Sequence, residues 1–174
     1  MRRLSLFICL SFVVHSAALS QNLFELGAEY MRTIGKQHNA HIAGPKGELF
    51  SNKNSFSVGI TYNFSANSSY SVAKGFGIYG GYRYAFGSNP NGNNPFAGIK
   101  ILFSLVSWEG KSSLFSPMLT PVAEAGYHFI FAKNFFAAPA IGYGYTIRVI
   151  PDYNSLDEDV GGRVVPAIGA GYRF

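Results

Sequence analysis

Glu124 and His128 stand four residues apart, and in an extended strand that spacing puts a carboxylate and an imidazole on one face. A hydrolase would use such groups as acid and base beside a nucleophile, but nothing nearby supplies a convincing one. Cys9, the only cysteine, lies in the first 20 residues, which removes thiol catalysis, disulfides and cysteine-based zinc sites from the rest of the chain. His38 and His41 are spaced for a metal but lack a third ligand. The acidic stretch holding Asp152, Asp157, Glu158 and Asp159 lacks the ligand spacing of a calcium loop and reads as a solvated connection. The glycines alternate along extended segments and precede no helix, so no phosphate-binding loop is present. No metal or cofactor is therefore expected. What remains is a set of isolated charges in apolar surroundings: Glu25, Glu29, Arg83, Lys100, Glu124 and Arg148.

Those charges sit on segments that alternate with a period of two, the mark of a strand with two different faces. From Ser55 to Phe64, the residues Phe56, Val58, Ile60, Tyr62 and Phe64 alternate with Ser57, Gly59, Thr61 and Asn63. The pattern recurs from Phe24 to Met31, Gly75 to Phe86, Phe96 to Trp108, Met118 to Phe131, Phe135 to Val149 and Arg163 to Phe174, giving seven strands. Turn material separates them at Ser88 to Asn94, Ala132 to Asn134 and Pro151 to Gly162. An eighth strand is expected at roughly Ala40 to Phe50, joined to the next across Ser51 to Asn54, although Pro45 and Gly47 interrupt its pattern. The alternative is a long loop there, with six strands in a barrel or open sheet. Dividing the chain beyond the leader by eight leaves roughly 19 residues per strand and connector, in keeping with the even strand number of bacterial barrels.

Residues 1–20 have the layout of a secretory signal: Arg2 and Arg3, the apolar run Leu4 to Val14, then the small residues Ala17, Ala18 and Ser20. Cleavage is expected before Gln21, leaving residues 21–174 as one domain. The run is too short for a membrane-spanning helix, which needs roughly 20 apolar residues. Cys9 is placed too early for lipid attachment at a mature N-terminus. Of the formal charge of +5, two units belong to the leader, and no Lys/Arg cluster longer than a pair remains, so nucleic acid is not expected as a partner. With 28 aromatic residues in 174 and only 13% charged residues, the chain is too apolar for disorder.

Which face meets which solvent follows from bulk and charge. The face opposite the large apolar residues carries Gly, Ala, Ser and Thr, too little volume for a water-exposed surface and suited to the inside of a narrow tube. One register places all six charges on that inner face. A slip of one residue would turn them towards lipid, at roughly 2–4 kcal/mol for each basic group near the midplane. Tyr and Phe gather towards strand ends, as interfacial girdles require.

The leader ending in Ala18-Leu-Ser-Gln21, the Gly-aromatic strand Gly80-Gly-Tyr-Arg-Tyr84 and the closing Ala167-Ile-Gly-Ala-Gly-Tyr-Arg-Phe174 carry a likeness to known proteins. The chain resembles the small outer-membrane β-barrels of Gram-negative bacteria, of OmpX/OmpA-type architecture, and particularly those of Bacteroidota. That resemblance implies an all-β, antiparallel, up-and-down transmembrane barrel of eight strands. It also implies Tyr172 and Phe174 as a C-terminal signal for the barrel-assembly machinery, outer-membrane lipid and lipopolysaccharide as surroundings, and a monomer. Such a barrel has an interior just wide enough for side chains to fill. Glu25, Glu29 and Glu124, paired with Arg83, Lys100 and Arg148 and joined by His128, are expected to plug it. A transport pathway, a narrow channel for small hydrophobic molecules, and an enzyme using Glu124 and His128 stand as alternatives. With both termini periplasmic, Ser65 to Lys74, Glu109 to Ser116 and Pro151 to Gly162 would face outside, and Ser88 to Asn94 and Ala132 to Asn134 inside.

Overall fold

The computed structural model describes residues 23–35, 38–68, 73–87, 92–108, 116–149 and 160–174. The leader and the acidic residues of 151–159 lie outside them. Eight strands run in chain order: β1 (Leu23–Ile34), β2 (His38–Ser51), β3 (Asn54–Ser68), β4 (Ala73–Ala85), β5 (Asn94–Trp108), β6 (Ser116–Phe131), β7 (Phe135–Arg148) and β8 (Gly161–Arg173). Every neighbour in sequence is an antiparallel neighbour in space, and β8 pairs with β1 to close the barrel. Each strand exceeds the roughly 9 to 11 residues that a tilted strand needs to cross a bilayer.

The alternation fixes what faces where. Phe56, Val58, Ile60, Phe76, Ile78, Ile99, Ile101, Ile141 and Tyr143 are more than half exposed on the outer wall. Buried inside are Glu25, Glu29, Lys46, Glu48, Arg83, Lys100 and Glu124, along with Ser57, Thr61, Tyr79 and Thr146. A protein folded for water would show the reverse distribution. This one presents hydrocarbon-like surface outward and keeps its ions within.

The expected eighth strand is β2, and it runs beyond the expected bounds at both ends. Pro45 is accommodated because its side chain faces outward and because the β2–β3 register passes over Gly44 and Pro45, while both pair with β1 through Glu29 and Ala28. A proline without an N–H fits where the ladder asks for no donor. The register also shifts between His41 and Ile42, where Phe64 of β3 becomes an extra, bulged residue. The connection expected over Ser65 to Lys74 is mostly strand, since β3 runs to Ser68 and β4 starts at Ala73. Longer pairing satisfies backbone groups that a loop would leave to solvent. Residues 88–91 and 109–115, within two other expected connections, lie outside the described residues.

Two turns at the end that carries the chain's termini, between β2 and β3 and between β6 and β7, are tight. Asn52 lies in the two-residue turn between Ser51 and Asn54, and Ala132 and Lys133 lie in the three-residue turn between Phe131 and Phe135; they take positive φ of 55°, 48° and 70°, the left-handed conformation such reversals use. Asn134 then ties this end together: its side-chain amide donates to the Arg173 carbonyl (2.8 Å), and the Arg173 N–H donates to the Asn134 carbonyl (2.6 Å).

The β1–β8 seam joins Gly27 to Gly171 and Ala28 to Ala170, and the two backbones approach so closely that a Cβ at Gly171 would run into the Leu26 carbonyl. Gly171→Val is expected to prevent closure. The variant should migrate as unfolded chain in unheated gel samples, where the parent migrates as the compact barrel.

Candidate functional site: an ion-pair core across the lumen

Arg83 of β4 is the hub. Its Nε donates to Glu124 Oε1 of β6 (2.7 Å), one terminal nitrogen reaches Glu48 Oε2 of β2 (3.3 Å) and the other Glu29 Oε1 of β1 (3.4 Å). The guanidinium lies 4.4 Å from the centre of the Phe96 ring. Lys100 of β5 bridges two of the same carboxylates, at 2.8 Å from Glu29 Oε1 and 3.1 Å from Glu124 Oε2, and stands 4.9 Å from the Tyr79 ring centre. Lys46 of β2 holds Glu48 Oε2 at 2.6 Å, while the Ser55 hydroxyl donates to the other oxygen of Glu48 at 2.5 Å. Three carboxylates and three cations from five strands thus meet across the tube. The side chains are at most 5% exposed, so removing one partner strands the others without water.

A second cluster lies nearer the terminal end. The Arg173 guanidinium of β8 contacts Glu25 Oε1 at 2.7 Å, and His128 Nε2 of β6 lies 3.0 Å from the same oxygen. The His128 ring stacks on Phe136 at 5.4 Å and meets Phe50 edge-on at 5.5 Å, while the Arg173 guanidinium lies 5.0 Å from the centre of the Phe50 ring. Towards the opposite mouth, Arg163 donates to Thr146, which is hydrogen-bonded to Thr120 at 2.9 Å. A cavity beside them of about 50 Å³ is lined by Thr33, Ile42, Asn63 and Leu102 among others. That holds a few waters and no larger solute.

Several expectations need correcting. Arg148 faces inward, but it lies beside Met118 in the β6–β7 register, whereas Glu124 lies beside Gly142. Six residues of strand, about 20 Å, separate the two levels, so Arg148 is not a member of the central network. Glu25 likewise pairs with Arg173 rather than with Arg83 or Lys100, because facing the same lumen is not being at the same height. Glu124 and His128 share a face but are about 13 Å apart along β6, and each is engaged by other groups. The acid–base pair considered above is not assembled.

Lys46 and Glu48 are central and were missed because Pro45 and Gly47 masked the alternation of β2. Arg173 already stood on the small-residue face and could have been counted. His41 lies on the outer wall, half-buried, with Tyr30 Oη 2.6 Å from its Nδ1. The His38 side chain lies outside what is described. No cluster of three metal-binding side chains occurs among the described residues. Tyr172 and Phe174 lie on the outer wall in a run of touching rings with Phe24 and Phe135, and the Phe174 N–H donates to the Phe24 carbonyl at 2.8 Å.

This architecture is that of the small eight-stranded barrels of bacterial outer membranes. Among solved structures, the N-terminal β-barrel domain of Pseudomonas aeruginosa OprF is similar, with a TM-score of 0.67 and 19% identity, covering 88% of this chain and 98% of that one. Neisserial surface protein A (NspA) is similar with a TM-score of 0.61 and 17% identity, covering 88% and 96%. No protein-family model and no curated protein sequence matches the chain. At such identities the likeness is one of fold.

Arg83→Leu removes the cation shared by Glu29, Glu48 and Glu124, and is expected to cost about 3–5 kcal/mol of stability. Lys53→Leu, in an exposed turn, should stay within about 0.5 kcal/mol. Denaturant unfolding in detergent micelles, followed by circular dichroism, separates the two.

Proposed function

We propose that the protein is an integral outer-membrane barrel with a closed lumen, acting as a structural and surface-presenting element of the envelope. The observation that carries this reading is the inverted distribution of charge, with ions inside and apolar side chains outside. The ion-pair core crosses the tube from five strands, and among the described residues the spaces of about 50 and 20 Å³ on its two sides each have room only for water. A diffusion pathway would need those pairs to separate. An enzymatic role finds no assembled acid–base pair in the described lumen.

In this reading residues 1–20 direct export and are removed before Gln21. Both termini stay periplasmic, and the barrel-assembly machinery acts on the final strand with Tyr172 and Phe174. The barrel is a monomer bathed in outer-membrane lipid and lipopolysaccharide, and its task lies in what its outer connections present. The likeness to a Neisserial surface protein supports a surface role without specifying a partner.

Planar-bilayer recording tests the closed lumen. Incorporation of the refolded protein is expected to give no discrete openings, and regular conductance steps would replace this reading with that of a channel. Recovery of folded, monodisperse protein in buffer without detergent would remove the membrane assignment itself.

A further inference from the structure

A tight turn sets the register of a hairpin, because the residues on either side of it have one way to pair. β8 has no such turn on either side. The connection from β7 runs from residue 149 to residue 160, and β1 lies at the other end of the chain. The side chains along the β1–β8 seam leave the choice open as well. Facing the lumen from β8 are Ala167, Gly169 and Gly171, and facing them from β1 is Gly27 between Glu25 and Glu29. A slip of two residues would keep every side chain on its own side of the wall and bring Gly27 against Gly169 in place of Gly171. The central network does not decide the matter, since it is built from β1, β2, β4, β5 and β6.

The residue that does decide it is Arg173. Its main chain exchanges hydrogen bonds with Asn134, at 2.6 and 2.8 Å, which fixes β8 against the turn that opens β7. Its side chain reaches its register partner on β1, with Nε and a terminal nitrogen each 2.7 Å from Glu25 Oε1. Glu25 is itself held at one height by the rest of the barrel. Lys100 ties Glu29 of β1 to Glu124 of β6, and four residues further along each of those strands stand Glu25 and His128, 3.0 Å apart. The Glu25 side chain has no exposure, and its second oxygen makes no hydrogen bond among the described residues. The partners on Oε1 therefore carry the whole compensation for its burial. A slip of two residues moves Arg173 about 7 Å along β1 and takes the cation away from Glu25. The neighbouring bond from the Phe174 N–H to the Phe24 carbonyl joins main-chain groups, which any register offers.

We propose that Arg173 is the register key of the barrel: its backbone sets β8 against β7 through Asn134, its side chain sets β8 against β1 through Glu25, and the tube closes with one stagger as a result. Fixing a register is the best-attested use of a buried charge. Six strands take their alignment from hairpins and the central network, and the last strand takes its alignment from a single ion pair.

The experiment uses the full chain, inserted in membranes and carrying cysteine pairs on the outer wall, with disulfides formed by copper phenanthroline and located by peptide mass spectrometry. Ala28→Cys/Ala170→Cys reports the native register. Ala28→Cys/Ile168→Cys and Tyr30→Cys/Ala170→Cys report slips of two residues in either direction, because residues directly opposed come within disulfide reach and those two positions off do not. In the parent the native pair alone is expected to cross-link. In Arg173→Gln and in Glu25→Gln the ratio of slipped to native cross-links is expected to rise about tenfold or more, as one partner of a buried pair is lost. Lys46→Gln removes a buried cation from the same lumen without touching the seam, and should keep the native pair alone. The reversed pair Glu25→Arg/Arg173→Glu should restore native cross-linking.

Native cross-linking in Arg173→Gln at the parent's ratio overturns the proposal, and so does equal slippage in Lys46→Gln, which would show general loosening of the barrel. Should Arg173→Gln fail to close, so that no pair cross-links, Arg173→Lys and the reversed pair decide. Native cross-linking in either upholds the proposal, and its absence from both overturns it.

Discussion

Hydrocarbon offers no partner to a peptide group or an ion, so whatever enters a bilayer must satisfy both from within. Here the first demand is met by a sheet that closes on itself, with β8 returning to β1. The second is met by placing carboxylates opposite cations in the one space the sheet encloses. The two solutions depend on each other. Closure creates the dry interior that makes an unpaired charge costly, and the pairs cross-link six of the strands that form the closure.

The same constraint explains why the ionic core is stacked in levels. Arg83 and Lys100 serve Glu29, Glu48 and Glu124 around one girth of the tube, and Arg173 serves Glu25 nearer the terminal end with His128 beside it. Aromatic rings of Phe96, Tyr79 and Phe50 cover the cations and fill the volume that small wall residues leave. Between the layers and the opposite mouth, Thr120, Thr146 and Arg163 continue the polar interior. The lumen is thus a core with the composition of a surface.

Much of this was legible in the sequence because alternation reports a residue's side of the wall directly. Phe56, Val58 and Ile60 against Ser57 and Gly59 leave one arrangement that keeps ions out of lipid, and Glu29, Arg83, Lys100 and Glu124 lie in the lumen accordingly. Alternation says nothing of height. Glu25 meets Arg173, and Arg148 stands far from Glu124, because stagger between strands is set by pairing over the whole barrel and by one bulge at Phe64. Pro45 and Gly47 hid β2 for a related reason: whether a proline breaks a strand depends on which neighbour its missing N–H would have faced, and that is a property of the assembled sheet. Lys46 and Glu48 were lost with it.

All but one of the strand pairings join segments adjacent in the chain, so each hairpin can form as soon as its second arm exists. The exception joins the first strand to the last. Until Phe174 N–H finds the Phe24 carbonyl, the growing ribbon carries two bare edges at once, both open to any other strand. The barrel's topology therefore makes the tail the arbiter of whether the molecule ends as a sealed ring or as a ribbon able to add to its neighbours.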